Sequence, residues 1–146
     1  MNKQSNFKYK ILPRLNLIVD SYFGNLTIDE ILLYKSNQTK DPLWNPGYNT
    51  LADMRNSNTI IDEDEIERLS KYQVSDNRWS EKRQTASLTD EANHIVFEEL
   101  FNMLKPKDSK VLVRAFSTLD AAILWLGIDK SEKPCINEVL NELNKK

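Results

Sequence analysis

Apolar and polar positions along the chain follow two periods, and the switches between them mark the elements. Phe7 to Leu12 and Leu15 to Phe23 read as strands; in the second, Leu15, Leu17 and Val19 alternate with Asn16, Ile18 and Asp20. Only Pro13-Arg14 separates the two runs. Antiparallel strands can be joined by two residues, whereas parallel strands need a long crossover, so the opening reads as a hairpin ended by Gly24-Asn25. Thr27 with Glu30 has capping-box spacing, and Ile28, Ile31, Leu32 and Lys35 recur at helical spacing. That helix should stop near Lys40, before Asp41-Pro42.

Tyr48 to Met54 reads as a third strand. Asp62 to Gln73 reads as a helix whose first turn is acidic, which the helix dipole favours. Gln84 to Leu88 is a weak fourth strand. Thr89-Asp90 caps a helix reaching about Leu104, with Ala92, Val96, Leu100 and Met103 as the core-facing row. Val111 to Phe116 is the clearest strand and is expected at or near the centre of the sheet. Ser117 and Asp120 cap a short helix ending at Leu126, with Gly127 as its C-terminal cap. Pro134 opens a last helix ending at Leu143. Strand–helix alternation implies parallel pairing through right-handed crossovers. The expectation is an α/β fold with a mixed five-stranded sheet: an opening antiparallel hairpin, then parallel strand–helix crossovers. Residues 1–146 are read as one domain, with a core over 7–127 and a helical extension over 128–146.

Composition narrows the function by exclusion. At 146 residues and 40% apolar, the chain can bury a core of its own. Its net charge is −2, and bases interleave with acids, as in Asp62-Glu63-Asp64-Glu65-Ile66-Glu67-Arg68. Nucleic-acid binding draws on a concentrated basic excess, so it is disfavoured. Met1 to Asn6 is polar, and the longest apolar run, Ala121 to Leu126, is far shorter than the roughly 20 residues of a membrane helix. No membrane span is expected. A lone cysteine, Cys135, excludes an internal disulfide and suits a reducing compartment, so a cytoplasmic location is expected.

Few motifs carry chemistry. Gly24, Gly47 and Gly127 cannot form a G-x-G-x-x-G or phosphate-binding loop, and there is no G-x-S-x-G elbow, so no cofactor is expected. His94 lies between Asp90 and Glu98 at i−4 and i+4, the pattern of a solvated helix face. Asp62 to Glu65 point in different directions around a helix and do not converge on one ion. Cys135 reads as a small packing residue. No catalytic residue and no metal site is assigned. Phe97 and Phe101 form a second stripe on the helix over 90–104. Either the C-terminal helix covers it, or it is a self-association or ligand patch. In an open α/β sheet, ligands favour the carboxyl ends of parallel strands. Arg55 is placed there to hold an anion and Ser57 or Ser117 to take a phosphate, unless they are ordinary turn and cap residues.

Several segments together resemble the SpoIIAA-like proteins. They are Tyr9-Lys10-Ile11-Leu12 through Leu15-Asn16-Leu17-Ile18-Val19, Gly24-Asn25-Leu26-Thr27, Asp41-Pro42 to Arg55, and Val113-Arg114-Ala115-Phe116 to Leu126. That group is similar to STAS domains and, more distantly, to CRAL-TRIO domains. The resemblance spans about residues 7 to 127. It implies a mixed sheet with helices and a regulatory or ligand-binding role. STAS antagonists carry a phosphorylatable Ser in an Asp-Ser-Ser-Gly-like run. The comparable stretch here is Ile60-Ile61-Asp62-Glu63-Asp64, which lacks the acceptor.

Three functions follow as expectations. The first is a non-catalytic regulatory or interaction domain with a protein partner. The second is a binder of a small apolar ligand in a pocket lined by Trp44, Tyr48, Phe97 or Phe101. The third, the least supported, is an enzyme in which Asp53 and Arg55, two apart on one strand face, share a site.

Overall fold

The structure, a computed structural model, describes residues 6–59, 64–65, 67–68, 71, 81–104 and 109–145. For Ile28, Thr59, Asn93, Phe97, Leu100, Phe101 and Leu104 it describes the backbone only.

The described strands are β1 (Phe7–Leu12), β2 (Leu17–Leu26), β3 (Asn49–Thr59), β4 (Arg83–Leu88) and β5 (Val111–Phe116). The described helices are α1 (Ile28–Gln38), α2 (Ala92–Leu104), α3 (Leu119–Trp125) and α4 (Lys133–Leu143). The expected helix over 62–73 is helical at 64–65, 67–68 and 71; its remaining positions lie outside the described residues.

The five strands form one sheet in the order β1-β2-β3-β4-β5. β1 pairs antiparallel with β2, and every later pair is parallel. The hairpin is built differently from the sequence reading. Pro13–Leu15 form a 3₁₀ turn, and Asn16 closes it in the left-handed region at φ 51°. Asn tolerates that region, which is why a Pro-Arg pair need not supply the turn. β2 then continues through Gly24-Asn25 to Leu26, because β3 is long enough to pair with it up to Leu26↔Thr59.

β5 is an edge strand, contrary to its expected central place. Each parallel crossover lands one position further in the same direction, so the last strand formed is outermost. Its buried Val111 and Val113 lie under α2, while Leu112 and Arg114 are exposed. Bonds from Arg83 N to Lys110 O and from Thr89 N to Phe116 O turn the even-numbered residues of β5 toward β4. Val113 therefore turns its backbone outward, where Asn102 meets it. Asn102 Nδ2 donates to the Val113 carbonyl at 2.5 Å, and Val113 N donates to Asn102 Oδ1 at 3.3 Å. One amide side chain thus occupies part of an edge that would otherwise invite another strand.

Right-handed crossovers that advance in one direction put their helices on one face of the sheet. α1 and α2 lie there. α3 and α4, which follow the last strand, cover the other face. The α3/α4 face is apolar: Leu17, Val19, Leu51, Ala86 and Leu88 meet Ala122, Ile123, Leu126, Ile136, Val139 and Leu140. The α1/α2 face has an apolar cluster of Phe7, Tyr22, Leu26, Ala52 and Met54 under Ile31 and Tyr34. The Phe7 ring stacks on Tyr34 at 5.2 Å and meets Tyr22 at 4.9 Å.

The local helix signals act as read for α1. Thr27 and Glu30 make the full reciprocal capping box. For α3 the cap is Thr118, not Ser117: Thr118 Oγ1 accepts from Ala121 N at 3.2 Å.

Candidate functional site

The predicted residues do not converge. Trp44 and Tyr48 lie half-buried in the loop entering the amino end of β3, whereas Asp53, Arg55 and Ser57 lie in its carboxyl half. Tyr48 and Asp53 are five residue steps apart, or about 16 Å of chain. Ser117 is exposed just beyond β5. The side chains of Phe97 and Phe101 lie outside the described ones, so the apolar pocket that would join them to Trp44 and Tyr48 is not shown.

Asp53 and Arg55 do come together. Between the pairs Ser21↔Asp53 and Phe23↔Asn56, β3 advances three residues while β2 advances two. This bulge takes residues 54–55 out of step with the ladder, and an amide left out of a ladder needs another acceptor. Asp53 Oδ1 accepts from Arg55 N at 3.1 Å and from Arg55 Nε at 2.9 Å, while Oδ2 accepts from Arg55 Nη2 at 2.8 Å. Asn144, at the end of α4, adds a fourth bond from Nδ2 to Asp53 Oδ2 at 3.1 Å. The Asn144 oxygen in turn accepts from Ser21 Oγ at 2.6 Å and Asn56 Nδ2 at 3.3 Å. The Asp53 side chain is fully buried, while Arg55 is 47% exposed. Burial pushes the Asp53 carboxyl up, but the bonds from Arg55 and Asn144 outweigh it and hold the group below its ordinary range. A carboxylate so held is a poor base. Ser57 is also committed, donating to the Met54 carbonyl at 2.9 Å from a buried position.

Residues 55–58, expected as a loop at the sheet's carboxyl edge, are part of β3. A cleft of about 500 Å³ lies instead at the opposite edge, lined among others by Arg14, Asn16, Asn49, Gly127, Asp129 and Glu132. One wall is tied by a bidentate pair, Arg14 Nη1 and Nη2 to Glu132 at 2.8 Å each. Its polar lining does not suit an apolar ligand.

The α1/α2 face holds a polar group that the sequence reading missed. Asp20, almost wholly buried, accepts from Lys35 Nζ at 2.7 Å and from Gln38 Nε2 at 2.6 Å. Arg83, also buried, donates from Nη2 to Thr50 Oγ1 at 2.8 Å. Burial lowers the Lys35 ammonium below its usual range, with Asp20 pulling the other way, and desolvation brings Arg83 down to about 10. Isolated polar letters inside apolar strands were the available signal: Asp20 in β2, Thr50 in β3 and Ser87 in β4.

α2 sets three polar side chains against this layer. His94, expected on a solvated face, is buried, and its Nδ1 lies 2.6 Å from Thr89 Oγ1. Glu98 is buried too and accepts from Ser87 Oγ at 2.5 Å. With Asn102 these residues form an i, i+4, i+8 row facing the sheet. Desolvation lowers the His94 imidazole and raises the Glu98 carboxyl to about 7. Of the row expected to face the core, Ala92, Val96 and Met103 are exposed, as is Ile95, while the Leu100 side chain lies outside the described ones. His94, Glu98 and Asn102 each find a partner in the sheet or at its end, as polar groups turned into a fold require.

The class follows from this frame: a mixed five-stranded α/β sheet with a SpoIIAA-like fold. A solved structure of an uncharacterized protein from the DUF3478 family, with a SpoIIAA-like fold, from Shewanella loihica PV-4, is similar to this chain in fold. It superposes with a TM-score of 0.56 at 13% identity, covering 86% of this chain and 98% of that one. No protein-family model matches the chain, and no curated protein matches it. Among the described residues no helix is long and apolar enough to cross a membrane.

Proposed function

We propose that this domain is a non-catalytic interaction module that acts by holding a partner protein. The observation that carries the reading is the closure of Asp53. The one predicted carboxylate–guanidinium pair makes four internal hydrogen bonds through its carboxylate, one of them from the last turn of the chain's C-terminal helix. General acid–base work needs a lone pair or proton facing substrate, and this group turns both oxygens inward. His94 and Ser57 are likewise engaged within the fold. The SpoIIAA-like resemblance, with its regulatory associations, agrees with a role in holding rather than transforming.

The test is made in the protein's native cells. Tagged at a terminus and isolated under native conditions, the domain is expected to migrate well above its 17.0 kDa monomer mass with a stoichiometric second protein. Isolation as a bare monomer carrying a bound lipid or metabolite, seen by native mass spectrometry, would overturn the reading in favour of a ligand carrier.

A further inference from the structure

We infer that the outward face of α2 is a docking surface for a basic amphipathic helix presented by a partner protein. This deepens the interaction-module reading and rests on it.

Ala92, Val96, Glu99 and Met103 recur at spacings of four, three and four, the seam spacing of packed helices. The row runs about 16 Å, or three turns. Val96 is 55% and Met103 76% exposed, and Ile95 beside them is 44% exposed. A helix lying on a sheet ordinarily turns its apolar row inward. Here His94, Glu98 and Asn102 fill the inward row, each with a partner in the sheet or at its end. Ile95, Val96 and Met103 are thus left largely in water. Large apolar side chains held in water at docking spacing are the mark of a contact surface.

Charge selects the occupant. α2 carries no lysine or arginine in its sequence. Asp90, Glu91 and Glu99 are all exposed around the seam, and Glu99 lies within it. A second copy packed antiparallel on this seam would bring the two Glu99 carboxylates close together near its centre, which like-charge repulsion opposes. An anionic membrane surface is repelled for the same reason. An apolar row flanked by lysine or arginine meets both requirements.

The test uses the purified full chain and two synthetic helical peptides of roughly five turns. Both carry the same leucine row; one is flanked by lysine, the other by glutamate. The lysine peptide is expected to shift backbone amide resonances of Ala92–Met103, and the glutamate peptide is expected not to. Val96→Asp should weaken the lysine peptide about tenfold or more, as loss of a central contact does. Glu99→Lys, at an exposed site, should reverse the preference toward the glutamate peptide. Circular dichroism of both variants confirms that the fold is intact. Equal binding of the two peptides, shifts located elsewhere, or a concentration-dependent dimer abolished by Val96→Asp would each overturn the inference. A native-cell complex that survives Val96→Asp would sink this surface while leaving the interaction-module reading in place. Absence of any complex would sink that reading itself.

Discussion

The two faces of the sheet are covered by helices of opposite construction. α4 buries Ile136, Val139 and Leu140, spaced at i, i+3 and i+4, against an apolar sheet face. α2 buries His94 and Glu98 and sets the half-buried Asn102 against partners at Ser87, Thr89 and the Val113 backbone, and leaves Ile95, Val96 and Met103 exposed. Apolar contact is non-directional, so α4 gains stability roughly in proportion to the area it buries. Hydrogen bonds are directional, so those of His94, Glu98 and Asn102 constrain the rotation of α2 while adding little net stability. The comparison teaches that non-directional apolar contact and directional polar contact can each seat a helix on one face of the same sheet.

The largest expected effect comes from cutting into α4. Leu140→Ala, at a site 2% exposed, should cost about 3 kcal/mol in a denaturant titration, as cavity-forming leucine truncations do. A cost below about 1 kcal/mol would mean that α4 is not the apolar fastening described.

Glu98 separates the two faces by pH. Its pKa is about 7 in the fold against an ordinary 4.5, so the folded chain binds this proton more tightly than the unfolded chain does. Stability from this group is fully present below pH 4.5 and is lost as the pH rises through 7. The loss amounts to about 3 kcal/mol. Glu98→Gln keeps an oxygen for Ser87 and should remove that part of the slope. It should match the wild type at low pH and exceed it above neutrality, measured by unfolding at a series of pH values. An unchanged slope would place the carboxyl in water.

Asp53→Asn tests the tie between α4 and the sheet. It leaves Arg55 and Asn144 facing an amide, and a loss of about 2 kcal/mol at neutral pH is expected, less than for a wholly buried pair because Arg55 is half exposed. Since the Asp53 pKa is depressed in the fold, its stabilisation is present above the ordinary carboxyl range and fades as the pH falls. The variant's deficit should therefore shrink in acid; a deficit that stayed constant with pH would exclude the ion pair as its cause.

The smallest effect belongs to the outward seam. Val96→Asp should alter unfolding free energy by no more than about 0.5 kcal/mol, as a surface change does. A larger loss would show that the seam is packed within the fold.

What could be read from the chain was whatever depends on neighbours in sequence. The Thr27–Glu30 box and the strand at Val111–Phe116 are local, and they stand where the pattern put them. The meeting of Asp53 with Arg55 was legible because two residues on one strand cannot be far apart. The rest depends on partners distant in sequence. β5 is at the edge because of the direction in which the crossovers advance, and no window of residues records that direction. β3 runs to Thr59 because β2 runs alongside it. The rotation of α2 was misread because its apolar row is a proper helical row. The deciding partners, Ser87, Thr89 and Val113, lie on two other segments. The pairing of Asn144 with Asp53 spans 91 positions and had no local signal.

The strictly sequential strand order has a consequence during synthesis. Strands emerge from the ribosome in the order in which they stand in the sheet, and α1 and α2 can settle as they appear. The opposite side has no cover of its own until residues 119–143 have been made. For that interval Leu17, Val19, Leu51, Ala86 and Leu88 form a bare greasy wall on a nascent chain. A translational pause placed upstream of Leu119 would prolong its vulnerability to sticking and to chaperone capture.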